Sequence, residues 1–436
     1  MLKSYTWAAL SDQDKQALLL RPALLEKPDL TEKVASILEQ VKKGGDKALF
    51  DFCEKFDSVT LSQLKVSPEE IEEALDQVSD ETKKALARAA DQIDYFHRQQ
   101  MPKDIDTEIN AGIRCQRQSR PIEKVGFYIP GGTAPLPSSV LMMGIPSRIA
   151  GCSQRILCTP PQKYGKIDPV IIAAAQLCGI DSIYKVGGAQ AIAAMAYGSE
   201  TIPSVDKIFG PGNAWVTEAK SQVEKDPQGA SIDMPAGPSE VMVIADKQAN
   251  PDFIAADLLS QAEHGTDSQV VLVYTDDQIL TEVNEAVEKQ LSQLSRRDIA
   301  AASLNHSFAV KANSREQSTA IANAWAPEHL IIQTSEPEQM IPEIKHAGSV
   351  FIGPWSPESV GDYASGTNHV LPTYGYARSV SGLSLESFLK FITFQTLTPA
   401  GLKDLGPVVE HLAALEGLSA HKNAVTVRLA ELNAND

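Results

Sequence analysis

Two side chains raise the question of chemistry in this 436-residue chain. Gln261 and His264 stand near the end of Asp257-Leu258-Leu259-Ser260-Gln261-Ala262-Glu263-His264-Gly265. The composition is that of a helix's last two turns, with Gly265 placed to stop it in the left-handed conformation a glycine tolerates. Residues three apart on a helix share a face. An amide oxygen and an imidazole presented together can begin a metal site whose other ligands arrive from elsewhere. Taken by themselves, a Gln and a His at a helix end are also what solvated or capping residues look like.

More polar groups fall in loops further along. Asp233-Met234-Pro235-Ala236-Gly237-Pro238-Ser239-Glu240 precedes a predicted strand, and Ala326-Pro327-Glu328-His329 sets a carboxylate beside an imidazole just before another. Gly361-Asp362-Tyr363-Ala364-Ser365-Gly366-Thr367-Asn368-His369 reads as a long polar loop, and Glu416 and His421 lie five apart near the end. Each cluster alone is explained by a cap, a turn or a surface ion pair. Together, Gln261, His264, Asp362 and His421 supply a mixed nitrogen and oxygen set suited to zinc, and Glu328 and His329 remain as acid–base candidates. On this chemistry a zinc-dependent hydrolase and a zinc-containing dehydrogenase stand level.

The glycine-rich turns add a ligand but not its identity. Gly210-Pro211-Gly212-Asn213-Ala214-Trp215 begins like a dinucleotide-binding turn but has tryptophan where the third glycine belongs, and that glycine is what permits close helix–strand packing. No Gly-Lys-Ser/Thr follows any glycine run, so no P-loop is present. The turns point to a ligand at strand carboxyl ends and helix amino ends.

These residues need elements to hold them. The first hundred residues read as helices: Ser11 caps a short one ending near Arg21, and Val34, Ile37, Leu38 and Val41 mark a second that Gly44-Gly45 stops. Leu49, Phe52, Cys53 and Phe56 resume the spacing, Ser67-Pro68-Glu69-Glu70 is a capping box, and Leu86, Ala90 and Ile93 mark a long helix carrying His97, read as a surface residue. From residue 125 strands alternate with helices. Strands are expected at 125–129, 156–158, 183–186 and 207–209, with helices at 138–150, 170–178, 189–197 and from 213 to about 225. A second series of like plan has strands at 241–244, 270–274, 308–310, 331–332 and 350–352. Its helices are expected at 251–264, 279–291, 318–325 and 337–346. Glycines at the strand-to-helix turns make each series a parallel sheet covered by helices. After Gly382 helices return, the last bearing Val425, Leu429 and Leu432, and this tail is too small for a core of its own.

Composition narrows the class. The chain is 43% hydrophobic and 22% charged, an ordinary globular balance. A formal charge of −17 argues against nucleic acid as a partner. The first residues lack the apolar core of a signal peptide, and no apolar run approaches the roughly 20 residues that span a bilayer. Five cysteines, odd in number and without a Cys-x-x-Cys pair, read as reduced thiols of a cytoplasmic protein.

The stretches 125–132, 186–193, 209–213, 232–240, 259–265, 327–330 and 356–369, with the tail 420–425, resemble histidinol dehydrogenase across essentially the whole chain. The resemblance implies oxidation of L-histidinol to L-histidine through the aldehyde with two NAD⁺, the last two steps of histidine biosynthesis. Carried over position by position, Gln261, His264, Asp362 and His421 would hold one zinc per subunit, which in that family is thought mainly to anchor substrate nitrogens. Ser239, Gln261, His264, His329, Asp362, Glu416 and His421 would contact substrate, and Tyr128, Gln190 and Asn213 would contact NAD⁺. His329 suits the base that removes the hydroxyl proton, and Glu328 the activation of water on the aldehyde. The role of His369 stays open. The implied architecture is two Rossmann-like parallel α/β units with helical ends. They divide as an arm at 1–24, a first α/β domain at 25–124 with 239–381, an NAD-side domain at 125–238 and a tail at 382–436. The implied assembly is an intertwined homodimer in which the tail crosses over, so that Glu416 and His421 reach the other subunit's site.

Overall fold

The computed structural model describes residues 2–21, 28–131, 135–234 and 237–434. Gly132 of the expected glycine turn, Pro235 and Ala236 of the 233–240 cluster, and the expected domain boundary at 24–25 lie outside the described residues. The described chain divides into two compact units, one of residues 1–100 and 122–388, the other of 101–121 and 389–436.

The larger unit opens with a strand where helix was expected. β1 (Lys3–Thr6) is mostly exposed and lies parallel to a later strand at a sheet edge, Lys3 opposite Phe308. Its polar residues carry no strand pattern of their own, and the neighbouring strand supplies the pairing. α1 (Asp12–Leu19) is capped by the Ser11 hydroxyl. α2 (Pro28–Phe52) is broken at Gly45, whose φ of 53° only glycine adopts readily. α3 (Pro68–Gln77) carries the expected capping box, Ser67 and Glu70 exchanging hydrogen bonds of 3.2 and 2.9 Å. α4 (Asp80–Arg98) corrects one reading: His97 is fully buried, its Nδ1 2.8 Å from the Ile93 carbonyl, because the helix is covered on that face by the segment around Asn368.

The chain then leaves this unit for a hairpin, β2 (Ile105–Asn110) and β3 (Ile113–Pro121), absent from the sequence reading because its side chains are largely exposed and polar. It returns with β4 (Lys124–Tyr128), α5 (Pro137–Ala150), β5 (Gln154–Thr159), α6 (Pro169–Leu177), β6 (Ser182–Lys185), α7 (Gly188–Tyr197), β7 (Lys207–Phe209), α8 (Ala214–Lys225) and β8 (Ser231–Ile232). These form a five-stranded parallel sheet in the order β6-β5-β4-β7-β8. The second series is β9 (Glu240–Ala245), α9 (Pro251–Ala262), β10 (Gln269–Tyr274), α10 (Asp277–Leu291), α11 (Arg297–Leu304), β11 (Phe308–Lys311), α12 (Arg315–Trp325), β12 (His329–Gln333), β13 (Ser349–Ile352) and α13 (Glu358–Tyr363). Its sheet is also parallel, in the order β1-β11-β10-β9-β12-β13. In each sheet the first strand of the series sits in the middle and the chain winds outward both ways, the doubly wound plan.

Burial on both faces explains the runs of apolar residues. Val241 and Val243 of β9 face one core with Leu258 and Val283, while Met242 and Ile244 face another with Trp325 and Ile321. Behind the five-stranded sheet, Val34, Val41 and Leu49 of α2 pack with Ile192 and Met195 of α7. Two expectations give way locally, one of a helix and one of a loop. Residues Pro337–Glu343 form a 3-10 turn, because Pro342 removes a donor the α-helix needs. Asp362 stands on α13 rather than in a loop.

The smaller unit joins β2 and β3 to β14 (Leu389–Leu397), antiparallel in the order β14-β3-β2, and to α14 (Pro399–Leu415) and α15 (Ser419–Ala434). The expected wholly helical tail therefore contains a nine-residue strand. Residues 101–121 group with it rather than with the first α/β domain. Phe391, Ile392, Phe394, Val408, Leu412 and Leu415 remain exposed.

Candidate active site

Strand starts and strand ends meet at a cavity of about 340 Å³. One wall is the amino-terminal edge of the six-stranded sheet: Ser239 precedes β9, Ser268 precedes β10, Glu328 precedes β12 and His329 begins it. The opposite wall is the carboxyl edge of the five-stranded sheet, with Pro130 after β4 and Pro211, Gly212 and Asn213 after β7. That is the point where its winding reverses, the usual ligand crevice of such sheets.

α9 delivers Gln261 to the cavity from its last turn, and His264 arrives from the turn beyond, its amide donating to the Gln261 carbonyl at 3.2 Å. The helix ends two residues before His264 with Glu263 still right-handed, and Gly265 does not adopt the left-handed cap expected of it. The pair shares the cavity through this turn rather than through a common helix face. α13 brings Asp362 from the third side.

Glu328 and His329 are buried, 7% and 3% exposed, so their partners decide their chemistry. Glu328 Oε2 accepts the Glu240 amide at 2.8 Å and lies 3.5 Å from His329 Nδ1. That same Nδ1 lies 2.8 Å from Gln261 Nε2 and 3.1 Å from the Glu240 carbonyl, while His329 Nε2 is 3.4 Å from Asp362 Oδ1. Burial pushes the Glu328 carboxyl up, and His329 only partly offsets it. Burial alone would lower His329, but Glu328, Asp362 and Glu358 outweigh it and hold the imidazole well above its ordinary value. The two side chains thus form a proton-holding pair shielded from water.

The expected metal donors are in states that fit a borderline cation. His264 is exposed at the cavity, yet the desolvation its surroundings impose still keeps the imidazole below its ordinary value against the pull of Asp362. Asp362 would be raised by burial, but His329, His369 and His264 hold it below the ordinary range, an ionised carboxylate. Gln261 Oε1 is buried without a hydrogen-bond partner, a cost usually avoided unless something else accepts the lone pairs. A neutral imidazole, a carboxylate and an orphaned amide oxygen on one cavity are a zinc-type donor set. Among the described residues no three His, Cys, Asp or Glu side chains converge as a metal site. His421, expected as the fourth donor, is exposed on α15 of the smaller unit, and Glu416, which caps the end of α14, is exposed as well.

The expected cofactor residues lie at the carboxyl edge of the five-stranded sheet. Tyr128 ends β4 and its hydroxyl accepts the Gly188 amide at 3.1 Å, while Gln190 is buried in the first turn of α7. Asn213 caps α8, accepting from the amides of Trp215 at 3.0 Å and Val216 at 3.2 Å, and of the three only it lines the cavity. Between β7 and α8, Gly210 passes so close to β4 that a Cβ would stand 2.1 Å from the Tyr128 carbonyl oxygen. Asp233 holds this turn, accepting the Gly210 amide and pairing with buried Lys220.

Residues that sequence left without a role surround the pair. His369 joins the Asp362 carbonyl at 2.6 Å to the Ser139 hydroxyl at 3.1 Å. Ser260 donates to Glu358 at 3.0 Å and Gln333 to Asp257 at 2.8 Å. Their signal was spacing: Asp257 precedes Gln261 by four and Glu358 precedes Asp362 by four, the interval that shares a helix face.

With this geometry in view, comparison with known proteins is direct. The family described as Histidinol dehydrogenase matches residues 21–429. A histidinol dehydrogenase of Aliivibrio fischeri is 54% identical, over 100% of this chain and 99% of its own length. One of Yersinia pestis is 54% identical, over 98% and 96%. The crystal structure of histidinol dehydrogenase from Elizabethkingia anophelis superposes with a TM-score of 0.96 at 50% identity, covering 99% of each chain. The chain belongs to the histidinol dehydrogenase family, NAD-dependent oxidoreductases of histidine biosynthesis.

Proposed function

We propose that the cavity carries out a four-electron oxidation of L-histidinol to L-histidine through histidinal, consuming two NAD⁺. The observation that carries this reading is the convergence of Ser239, Gln261, His264, Glu328, His329 and Asp362 on one cavity opposite the Asn213 turn. His329, in its neutral form, takes the hydroxyl proton as hydride leaves the alcohol carbon. After the aldehyde forms, Glu328 as carboxylate takes a proton from the water that adds to it, while His329 returns its proton to the former carbonyl oxygen, which completes the diol and leaves the imidazole neutral. His329 then takes the proton of the resulting diol as the second hydride leaves. Their burial keeps bulk water from the aldehyde between the two oxidations. Tyr128, Gln190 and Asn213 would hold NAD⁺, which would supply the hydride acceptor each time. Zinc, one per subunit, would be held by Gln261, His264 and Asp362 with His421 and would fix the substrate's nitrogen atoms.

Glu416 and His421 of the partner subunit complete substrate binding in this reading. The exposed apolar side chains of β14 and α14, including Phe391, Phe394 and Leu412, support a homodimer, because so many large apolar groups in one small unit are normally covered. Residues 125–238 form the NAD side and 239–381 the core of the other α/β domain, and α2 packs on the NAD side.

The test is the number of NADH molecules formed per L-histidinol by metal-replete protein, before and after chelation. Two NADH, lost on chelation and restored by zinc, is the expected result. One NADH per substrate refutes the two-step reading, and full activity after complete metal removal refutes the zinc.

A further inference from the structure

The acid–base pair rests on a residue that no site assignment includes. Glu240, the first residue of β9, turns both backbone groups toward it: its amide donates to Glu328 Oε2 at 2.8 Å and its carbonyl is 3.1 Å from His329 Nδ1. Its side chain points the other way, only 1% exposed, into the guanidinium of Arg21. Arg21 Nε donates to Oε1 and Nη2 to Oε2, both at 2.9 Å, a bidentate fork. The amide of Tyr374 also donates to Oε1 at 2.9 Å. Arg21 is itself fixed: Nη2 donates to the Trp325 carbonyl at 2.8 Å, Nη1 donates to the Leu19 carbonyl at 3.1 Å, and the guanidinium lies 4.0 Å over the Trp325 ring.

We propose that the buried Arg21–Glu240 ion pair is a positioning device that fixes the amide and carbonyl on which Glu328 and His329 are oriented, and so ties the amino-terminal segment to the reaction. The inference rests on the roles given above to Glu328 and His329. A buried ion pair is a poor source of net stability, since its desolvation cost rivals its attraction and apolar residues often replace it without loss. What the fork provides is geometry. With both carboxylate oxygens held, and Trp325 joined through Arg21, the start of β9 cannot slide or tilt against the start of β12. Arg21 also balances a negative charge on the very residue whose amide contacts Glu328. The effect of losing it is therefore a misplaced base and carboxylate, the kind of displacement that costs rate rather than binding.

Full-length, metal-replete protein is compared as Arg21→Met, Arg21→Lys, Arg21→Met/Glu240→Met and His329→Asn. For each, kcat, KM for L-histidinol, KM for NAD⁺ and Tm are measured. Arg21→Met is expected to lower kcat by about ten- to a hundredfold with both KM values little moved, and Arg21→Lys to recover part of the loss. The double variant removes both buried charges, so its Tm returns toward the parent's while its kcat stays low. A kcat that climbs back with Tm in the double variant makes the pair merely structural and overturns the proposal. So does parental kcat in the folded Arg21 variants. Where Arg21→Met does not fold, the lysine and double variants decide alone. His329→Asn separates the two levels: full activity there refutes the acid–base reading itself, whereas its inactivity beside active Arg21 variants refutes only the positioning role.

Discussion

Replacing Asp257 by Asn is expected to stabilise the protein, and to do so only where the pH is high enough. Asp257 is 5% exposed on α9, and its one hydrogen bond comes from the Gln333 amide at 2.8 Å. Burial pushes the carboxyl up to about 7 from 3.8, and the bond from Gln333 only partly opposes it. Because the folded pKa is raised, the folded state binds the proton more tightly than the unfolded chain. Below about pH 4 both states are protonated and the group is neutral in the balance. As pH rises from about 4 to about 7 the unfolded chain ionises first, so stability falls by roughly 1.4 kcal/mol per pH unit. Above about 7 the full cost is in place, at most about 4 kcal/mol. Asn cannot ionise and still offers an oxygen to Gln333. Thermal melts of parent and Asp257→Asn at pH 5, 6, 7 and 8, equally loaded with metal, will show a Tm difference that widens in favour of the variant and levels off above about pH 7. A difference that is flat with pH, or that turns against Asn at pH 8, means the native carboxylate is ionised and held by a partner, and the reasoning fails.

Other outcomes follow from the same geometry. Glu328→Gln is expected to slow histidinal oxidation more than histidinol oxidation, while His329→Asn slows both; equal mild losses in the two assays would contradict the assigned roles. Gly210→Ala drives a Cβ to within 2.1 Å of the Tyr128 carbonyl oxygen at a φ of 124°, so a fall in stability of more than about 2 kcal/mol and a raised KM for NAD⁺ are expected. A variant as stable as its parent in urea would show that the turn is slack. Burial pushes the thiols of Cys53 and Cys178 up to about 12 and that of Cys152 up to about 11, and raises that of Cys158 as well. A thiol reagent at neutral pH is therefore expected to titrate at most Cys115 in the native protein and all five cysteines in denaturant. Removing residues 389–436 takes away β14 and its exposed apolar side chains, so zinc content and the dimer are expected to be lost together; a zinc-replete monomer would refute a shared site.

Much of the fold was legible because its strands are buried on both faces. Val241–Ile244 and Val270–Tyr274 are apolar without a break, and glycine, proline or asparagine marks the turns around them. Strands whose partners create them were not legible. Lys3–Thr6 and Ile105–Asn110 are polar and largely exposed, so no periodicity announces them. β14 is apolar enough, with Phe391, Ile392 and Phe394, but it extends a hairpin remote in sequence and so was not expected among helices. The site was legible as a list of types: Glu328-His329 side by side, and Gln261 near His264. Its supporting layer was not, because Arg21 with Glu240 and Asp257 with Gln333 meet across intervals of 219 and 76 residues. His97 was misread for a related reason: a single histidine carries no sign of which side of its helix will be covered.

His329 is the first residue of a strand paired on both sides, opposite Val241 of β9 and Ser349 of β13. The base proposed above therefore stands on a strand laddered on both sides, where local opening is costly. In amide hydrogen exchange, the interior of β9 and β12 will be among the last to take up deuterium. The turn at 263–268, which carries His264, has little ladder to protect it and will exchange far sooner. On the roles proposed above, the slow half of the cavity is the half that would fix where the proton goes, and the quick half the one that can give way as substrate and product exchange.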